Sequence, residues 1–301
     1  MIKRTLYFGN PAYLKTRNEQ LVVEMQDSGE LKSAPIEDIG LLILDHQQIT
    51  ITQALLAKLL ANNTAVITCD DTHHPAGMLF SLDGHSLQSQ KFQAQVEASA
   101  PLKKQLWQQT VASKIGNQAA LLMLRRAEHK TLLTYAKEVK SGDSENHEAK
   151  AAAYYWKRIF PDFPDFRRER YGPPPNNLLN YGYAILRAVV ARSLTASGLL
   201  PTLGIHHRNQ YNAYCLADDI MEPYRPFVDK VVCQVIRGNG GFLEMSPSMK
   251  KELLNIPVMD VVIDGQKSPL MNAVQRTTAS LARCFEGTAR KIVYPELKPE
   301  W

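Results

Sequence analysis

Residues 102–124 read LKKQLWQQTVASKIGNQAALLML, and apolar residues recur along them at i, i+3 and i+4, the period of an amphipathic helix. EAKAAAYYWKRIF and LLNYGYAILRAVVARSLTASG, further along, keep that period. Upstream the pattern is different. RTLYF, AYLKT, QLVVEMQ and GLLILD are short, rich in β-branched and aromatic residues, and separated by turn signals such as DSGE, which is how strands read. One helix interrupts them: TQALLAKLLANN, from Thr52 to Asn63, stops at paired asparagines before the strand-like AVITCD. Between the two regimes, DGHSLQSQKFQAQVEASAP is polar and poor in large apolar residues, the composition of a connection that can be helical in part. The expected fold is α+β: a small mostly-β N-terminal domain over 1–83, a connecting segment over 84–100, and a larger all-α C-terminal domain over 101–301.

A chain of 301 residues exceeds the usual single-domain size, which also favours two cores. Hydrophobic residues at 45% and charged residues at 22% are ordinary for a globular protein and exclude disorder as the main state. MIKRTLYFGN lacks the apolar region of a signal peptide, and no stretch reaches the uncharged length of a membrane span, so a cytoplasmic protein with no membrane partner is expected. Cys69, Cys215, Cys233 and Cys284 are widely spread and form no Cys-x-x-Cys pair, which argues for reduced core residues. A net charge of +5 permits a polyanionic partner without requiring one.

The segment HHRNQYNAYCLADDIMEPYRP, 206–226, concentrates polar residues. On a helix starting near Leu216, Asp218 and Asp219 stand four and three residues before Glu222, so the carboxylates repel unless a cation intervenes. Pro223 and Pro226 cannot donate to the carbonyls of Asp219 and Glu222, which predicts a kink or break at those acids. His206 and His207, in the loop after the Gly198 and Pro201 helix stop, can supply a nitrogen ligand; the alternative is that a histidine caps locally and the acids face solvent. In SGDSENHEAKAAAYYWKRIF, Asp143 or Ser144 suits an N-cap. The stripe Ala152, Tyr155, Trp156, Ile159 extends backward by four residues to Glu148, setting a carboxylate on the buried face. That carboxylate either meets a cationic partner or reaches water at the helix N-terminus.

Two further clusters carry competing readings. CDDTHHPAG, 69–77, holds two acids with His73 and His74, yet it follows a strand and ends in Pro and Gly, which is turn chemistry. Arg167, Arg168 and Arg170 beside Phe163, Phe166 and Tyr171, leading into the proline-rich GPPPNN, mix cations with rings as nucleic-acid surfaces do, and as solvated loops also do.

GDSENHEAKAAAYYW, NYGYAILRAVVAR and LGIHHRNQYNAYCLADDIMEPYRP, in this order behind a β-rich domain, resemble the CRISPR-associated integrase family, the metal-dependent DNA nuclease of spacer acquisition, in its type II form. The resemblance spans the whole chain. It implies that Glu148, His207 and Glu222 are the metal ligands and catalytic residues, with His207 preferred over His206 by its interval to Glu222, and with Asp219 as a supporting acid. Many relatives carry Asp at the position of Glu222 and Gly at that of Ala149.

The implied activity is metal-dependent endonuclease and integrase chemistry, in which a DNA 3′-hydroxyl attacks a phosphodiester and foreign fragments enter a CRISPR array. One imidazole and two carboxylates suit Mg²⁺ or Mn²⁺. The implied partners are double-stranded DNA with 3′ ends, a second copy in a homodimer built through the β-domain, and a small ferredoxin-like CRISPR-associated nuclease bridging two dimers. The type II effector nuclease and an accessory ring protein complete the set. Two other functions are compatible with the residues alone: a metal-dependent phosphohydrolase of small phosphates, and a non-catalytic DNA-binding scaffold.

Overall fold

A computed structural model describes residues 3–25, 29–73, 75–81, 85–238 and 245–298. Of the segments singled out above, Gln26, Asp27, Ser28, His74, Asp83 and Gly84 lie outside the described residues. The chain divides into two compact units, Met1–Ser86 and Leu87–Trp301.

Among the described residues the first unit holds two four-stranded sheets and one α-helix: β1 (Arg4–Phe8), β2 (Ala12–Arg17), β3 (Gln20–Met25), β4 (Leu31–Pro35), β5 (Ile39–Leu44), β6 (Ile49–Ile51), α1 (Gln53–Ala61), β7 (Ala65–Cys69) and β8 (Pro75–Leu79). One sheet runs β1-β5-β7-β8, parallel except for β8; the other runs β4-β3-β2-β6. Strand β5, IGLLIL, is buried along nearly its whole length, as an inner strand with parallel neighbours must be. Leu14, Leu21, Leu42, Leu55 and Leu59, from both sheets and α1, meet in one core. Helix α1 is capped by the Thr52 side chain, which accepts from the backbone N–H of Leu55, and it ends at the paired asparagines, where Asn63 takes the left-handed conformation. Strand β8 departs from the turn reading of PAG. Pro75 opens an edge strand, where its missing N–H removes no inner ladder bond.

The second unit contains α2 (Gln88–Glu97), α3 (Ala100–Leu124), α4 (Lys130–Glu138), α5 (His147–Ile159), α6 (Asn176–Ala196), α7 (Cys215–Met221), α8 (Arg225–Gly238), α9 (Pro247–Leu253), β9 (Asp260–Ile263), β10 (Gln266–Pro269) and α10 (Leu270–Phe285). The polar connection is thus largely the helix α2, inside this unit. Helix α3 is the axis against which α4, α5 and α8 pack. Helices α6 and α8 approach closely at Gly182, where a Cβ would fall 2.6 Å from a methyl of Val228. Among the described residues the unit's named strands are the β9–β10 hairpin, so the helical domain is not all-α as expected. The hairpin's cause is Asp264-Gly265, both at positive φ (49° and 73°), the turn that closes a two-residue hairpin. Among the described residues no helix is long and apolar enough to cross a membrane.

Candidate metal centre

Three elements bring the candidate side chains to one face of α3. The first is the start of α5. The Asp143 carboxylate accepts from the backbone N–H of His147 and of Glu148, both at 2.9 Å, satisfying two of the donors that a helix N-terminus leaves open. Asp143 therefore caps α5 from a preceding 3-10 turn, while Asn146, left-handed at φ 56°, occupies the cap position. The buried line of α5 is His147, Ala151, Tyr155 and Ile159, one residue off the expected stripe at its start, and Glu148 heads the half-buried line of Ala152 and Trp156 beside it. Its side chain is 25% exposed and does not turn to water, because Lys114 Nζ donates to Glu148 Oε1 at 2.7 Å.

The second element is the break between α7 and α8. Helix α7 stops at Met221, and Glu222–Tyr224 form a 3-10 turn, where Pro223 and Pro226 withhold their donors. Asn117 of α3 donates to the carbonyl of Pro223 at 2.8 Å. Glu222 is 7% exposed; Arg225 Nε donates to its Oε1 at 2.7 Å, and Lys114 Nζ lies 2.6 Å from its Oε2. The second contact is an ion pair of poor direction, for Oε2 is buried without a well-aligned hydrogen bond. Burial pushes the Glu222 carboxyl up, but Arg225 and Lys114 outweigh it and leave the pKa at about 2. Burial likewise pulls the Lys114 ammonium down, and Glu222 and Glu148 more than offset it, so the lysine stays charged. Removing one partner of such a buried pair costs about 3–5 kcal/mol.

The third element is the loop between α6 and α7, where the two histidines separate. Asp219, fully buried, accepts from the backbone N–H of His206 (2.9 Å) and His207 (3.2 Å) and lies 2.5 Å from His207 Nδ1. The turn needs Gly204: a Cβ there would fall 2.4 Å from the carbonyl oxygen of His207 and 2.8 Å from the Asp219 carboxylate. With Nδ1 directed at Asp219, the other nitrogen of His207, a ring 43% exposed, is left for a ligand. The hydrogen bond to Asp219 raises the His207 pKa against the opposing effect of burial, and the charges of Asp219, Glu222 and Glu148 add to the rise. His206 instead stacks flat on Trp107 of α3, with centroids 4.1 Å apart, and Trp107 meets His207 edge-on.

Asp218 takes a different direction, accepting from Arg187 Nε and Asn212 Nδ2, both at 2.7 Å. The cation expected to intervene among the acids of α7 is supplied here by side chains. Arg187, the His207 imidazole, and Lys114 with Arg225 relieve Asp218, Asp219 and Glu222 separately, because a helix buried on all sides can send each acid to its own cation. Among the described residues no three His, Cys, Asp or Glu side chains form a ready ligand cage. The donor chemistry nonetheless suits a divalent cation: the carboxylates of Glu148 and Glu222 flank one side-chain cation, Lys114, and an Asp behind a histidine, as Asp219 is behind His207, is the usual outer partner of a metal ligand.

Lys114, Trp107, Asn117 and Arg225 were not singled out from the sequence. The rule that flagged Glu148, a charge on an apolar stripe, applies equally to Lys114, which shares the buried face of α3 with Trp107, Val111 and Ile115. In the first unit, His73 Nδ1 lies 2.9 Å from buried Asp45, which also accepts from Tyr7, and Asp70 accepts from the backbone N–H and hydroxyl of Thr72, the bonds of a turn. Phe166 packs with Trp156 and Phe160, and Arg168 is anchored on Asn176 and Asn180. Tyr171, beside Arg170, is 90% exposed.

Residues 6–241 match the family model described as CRISPR associated protein Cas1. The chain belongs to the Cas1 family. It is 35% identical over 302 aligned positions to the CRISPR-associated endonuclease Cas1 of Neisseria meningitidis serogroup C, covering 99% of this chain and 98% of that one. Its fold is similar to that of a casposase bound to integration product (TM-score 0.82, 20% identity, 100% and 94% of the two chains). It also resembles a chain of a Cas6-RT-Cas1–Cas2 complex (TM-score 0.77, 22% identity), covering 98% of this Cas1-family chain and 36% of the other.

Proposed function

We propose that this Cas1-family chain cuts and joins DNA at a centre held by Glu148, His207 and Glu222, inserting DNA fragments into a CRISPR array. The observation that carries the reading is the single Lys114 ammonium touching Glu148 and Glu222, beside a His207 whose ring is fixed by Asp219. Glu148 and Glu222 supply carboxylate oxygens and His207 its Nε2; Asp219 sets the histidine's orientation, and Arg225 keeps Glu222 pinned and ionised. Mg²⁺ or Mn²⁺ held there would supply Lewis acidity toward a phosphodiester. In the joining step the oxygen of a DNA 3′-hydroxyl forms a new P–O bond, the existing P–O3′ bond breaks, and the departing strand keeps a 3′-hydroxyl; water in place of the hydroxyl gives cleavage. Exposure falls from His207 through Glu148 to Glu222, so a phosphate reaches the centre from the histidine side.

The partners in this reading are double-stranded DNA with 3′ ends, a second copy through the strand-rich unit, and a small ferredoxin-like nuclease bridging two dimers, supported by the likeness to a chain from a Cas1–Cas2 complex. In a type II system the effector nuclease and an accessory ring protein join them. The test is incubation with 3′-overhang DNA, a supercoiled repeat-bearing plasmid and the partner nuclease, with and without Mn²⁺. Covalent joining is expected only with metal, and Glu148→Ala or His207→Ala is expected to abolish it while leaving DNA binding in place. Joining at wild-type rates in either variant would overturn the assignment.

A further inference from the structure

We propose that Lys114 is a built-in placeholder cation: its ammonium holds Glu148 and Glu222 together when no metal is bound and must withdraw before a divalent ion can use both carboxylates. The inference rests on the reading above that these glutamates are ligands. Among the described residues, Lys114 is the cation in contact with both, at 2.7 Å and 2.6 Å, and its side chain is 10% exposed. An ammonium has no lone pair to share with a metal ion and the same sign of charge, so the two cannot occupy the space between the carboxylates together. Its placement is built into α3. Trp107, two turns earlier on the same buried face, carries the two histidines, and Asn117, one turn later, holds the Pro223 carbonyl beside Glu222. Unlike Arg225, which bonds Oε1 with good direction, Lys114 faces Oε2 in an ion pair without a well-aligned hydrogen bond. Of the two cations on Glu222 it is the one that also touches Glu148, so its departure frees an oxygen on each glutamate.

A state that must open before it binds has its affinity reduced by the open fraction, so Lys114→Met, which keeps length and removes charge, is expected to bind Mn²⁺ about tenfold more tightly than wild type in a calorimetric titration without DNA. Its metal-free melting temperature should fall, and its Mn²⁺-induced rise should exceed that of wild type. Glu148→Gln and Glu222→Gln in the same titration separate the two ideas. If both bind as wild type, the ligand reading fails and this inference with it. If they lose binding but Lys114→Met shows equal or weaker affinity, the placeholder role alone is overturned. Should Lys114→Met fail to fold, the wild-type protein decides. Acylation of Lys114 by an N-hydroxysuccinimide ester, read on its peptide by mass spectrometry, should quicken several-fold with saturating Mn²⁺, and unchanged protection overturns the proposal.

Discussion

At the scale of single residues, the adjacent histidines show how one carboxylate assigns two roles. His206 and His207 have the same chemistry and neighbouring positions, yet Asp219 takes the ring of one and Trp107 takes the ring of the other. Preference for His207 rested on resemblance, and the hydrogen bond to Asp219 supplies a physical reason for it. Asp219→Asn keeps the size and removes the charge that holds Nδ1. We expect a loss of about 10–100-fold in metal affinity or strand transfer, measured by Mn²⁺ titration and by product formation; wild-type values in both would show that His207 needs no orienting acid. Glu148 was legible because a charge interrupts an apolar stripe. Lys114 was equally legible by the same rule and escaped notice because its meaning depends on two partners remote in the chain.

At the scale of elements, the strands β1, β2, β3 and β5 and the helices α1, α3, α5 and α6 follow the periodicity of their residues closely, since each buries one face or the whole of a short run. Strands β4 and β8, LKSAP and PAGML, lack that signal because edge strands are half-solvated and tolerate Pro and Gly. The hairpin β9–β10 carried an Asp-Gly signal that the dominant helical pattern around it obscures. The cap of α5 fixes the turn from which Glu148 projects. Asp143→Ala removes the acceptor for two backbone N–H groups and should lower stability by about 1 kcal/mol in urea unfolding, with a drop in strand transfer. A stability change indistinguishable from zero would mean that water replaces the cap without cost.

At the scale of the molecule, the second unit is braced by a buried polar network behind the centre. Tyr155 of α5 and Tyr183 of α6 both donate to Asp229 of α8, at 2.7 Å and 2.5 Å, and Arg225 lies over the Tyr183 ring. Burial pushes the Asp229 carboxyl up to about 6, although the two tyrosine hydrogen bonds and the arginines oppose it. Its folded pKa therefore exceeds its unfolded one. Between about pH 4 and pH 6 the native state holds the extra proton, so stability falls as pH rises through that window and is level above it. A shift from 3.8 to about 6 amounts to a loss on the order of 3 kcal/mol. Glu222 acts in a lower window with the opposite sign: its folded pKa of about 2 contributes stability that is lost only as pH falls through the acid range below its unfolded value. Asp229→Asn has no proton to release, so its unfolding free energy should lack the decline between about pH 4 and pH 6 that wild type shows; parallel curves for the two proteins would refute this. The sequence by itself determined the strand-rich start and the helical remainder, the break at Pro223 and the presence of a costly charge at position 148, because each depends on residues within a few turns of one another. Only the tertiary structure decided which histidine meets Asp219, that Arg187 draws Asp218 aside, and that one lysine joins Glu148 to Glu222. Those pairings are made across α3 between segments far apart in the chain, and local periodicity holds no record of which charge a buried carboxylate will find.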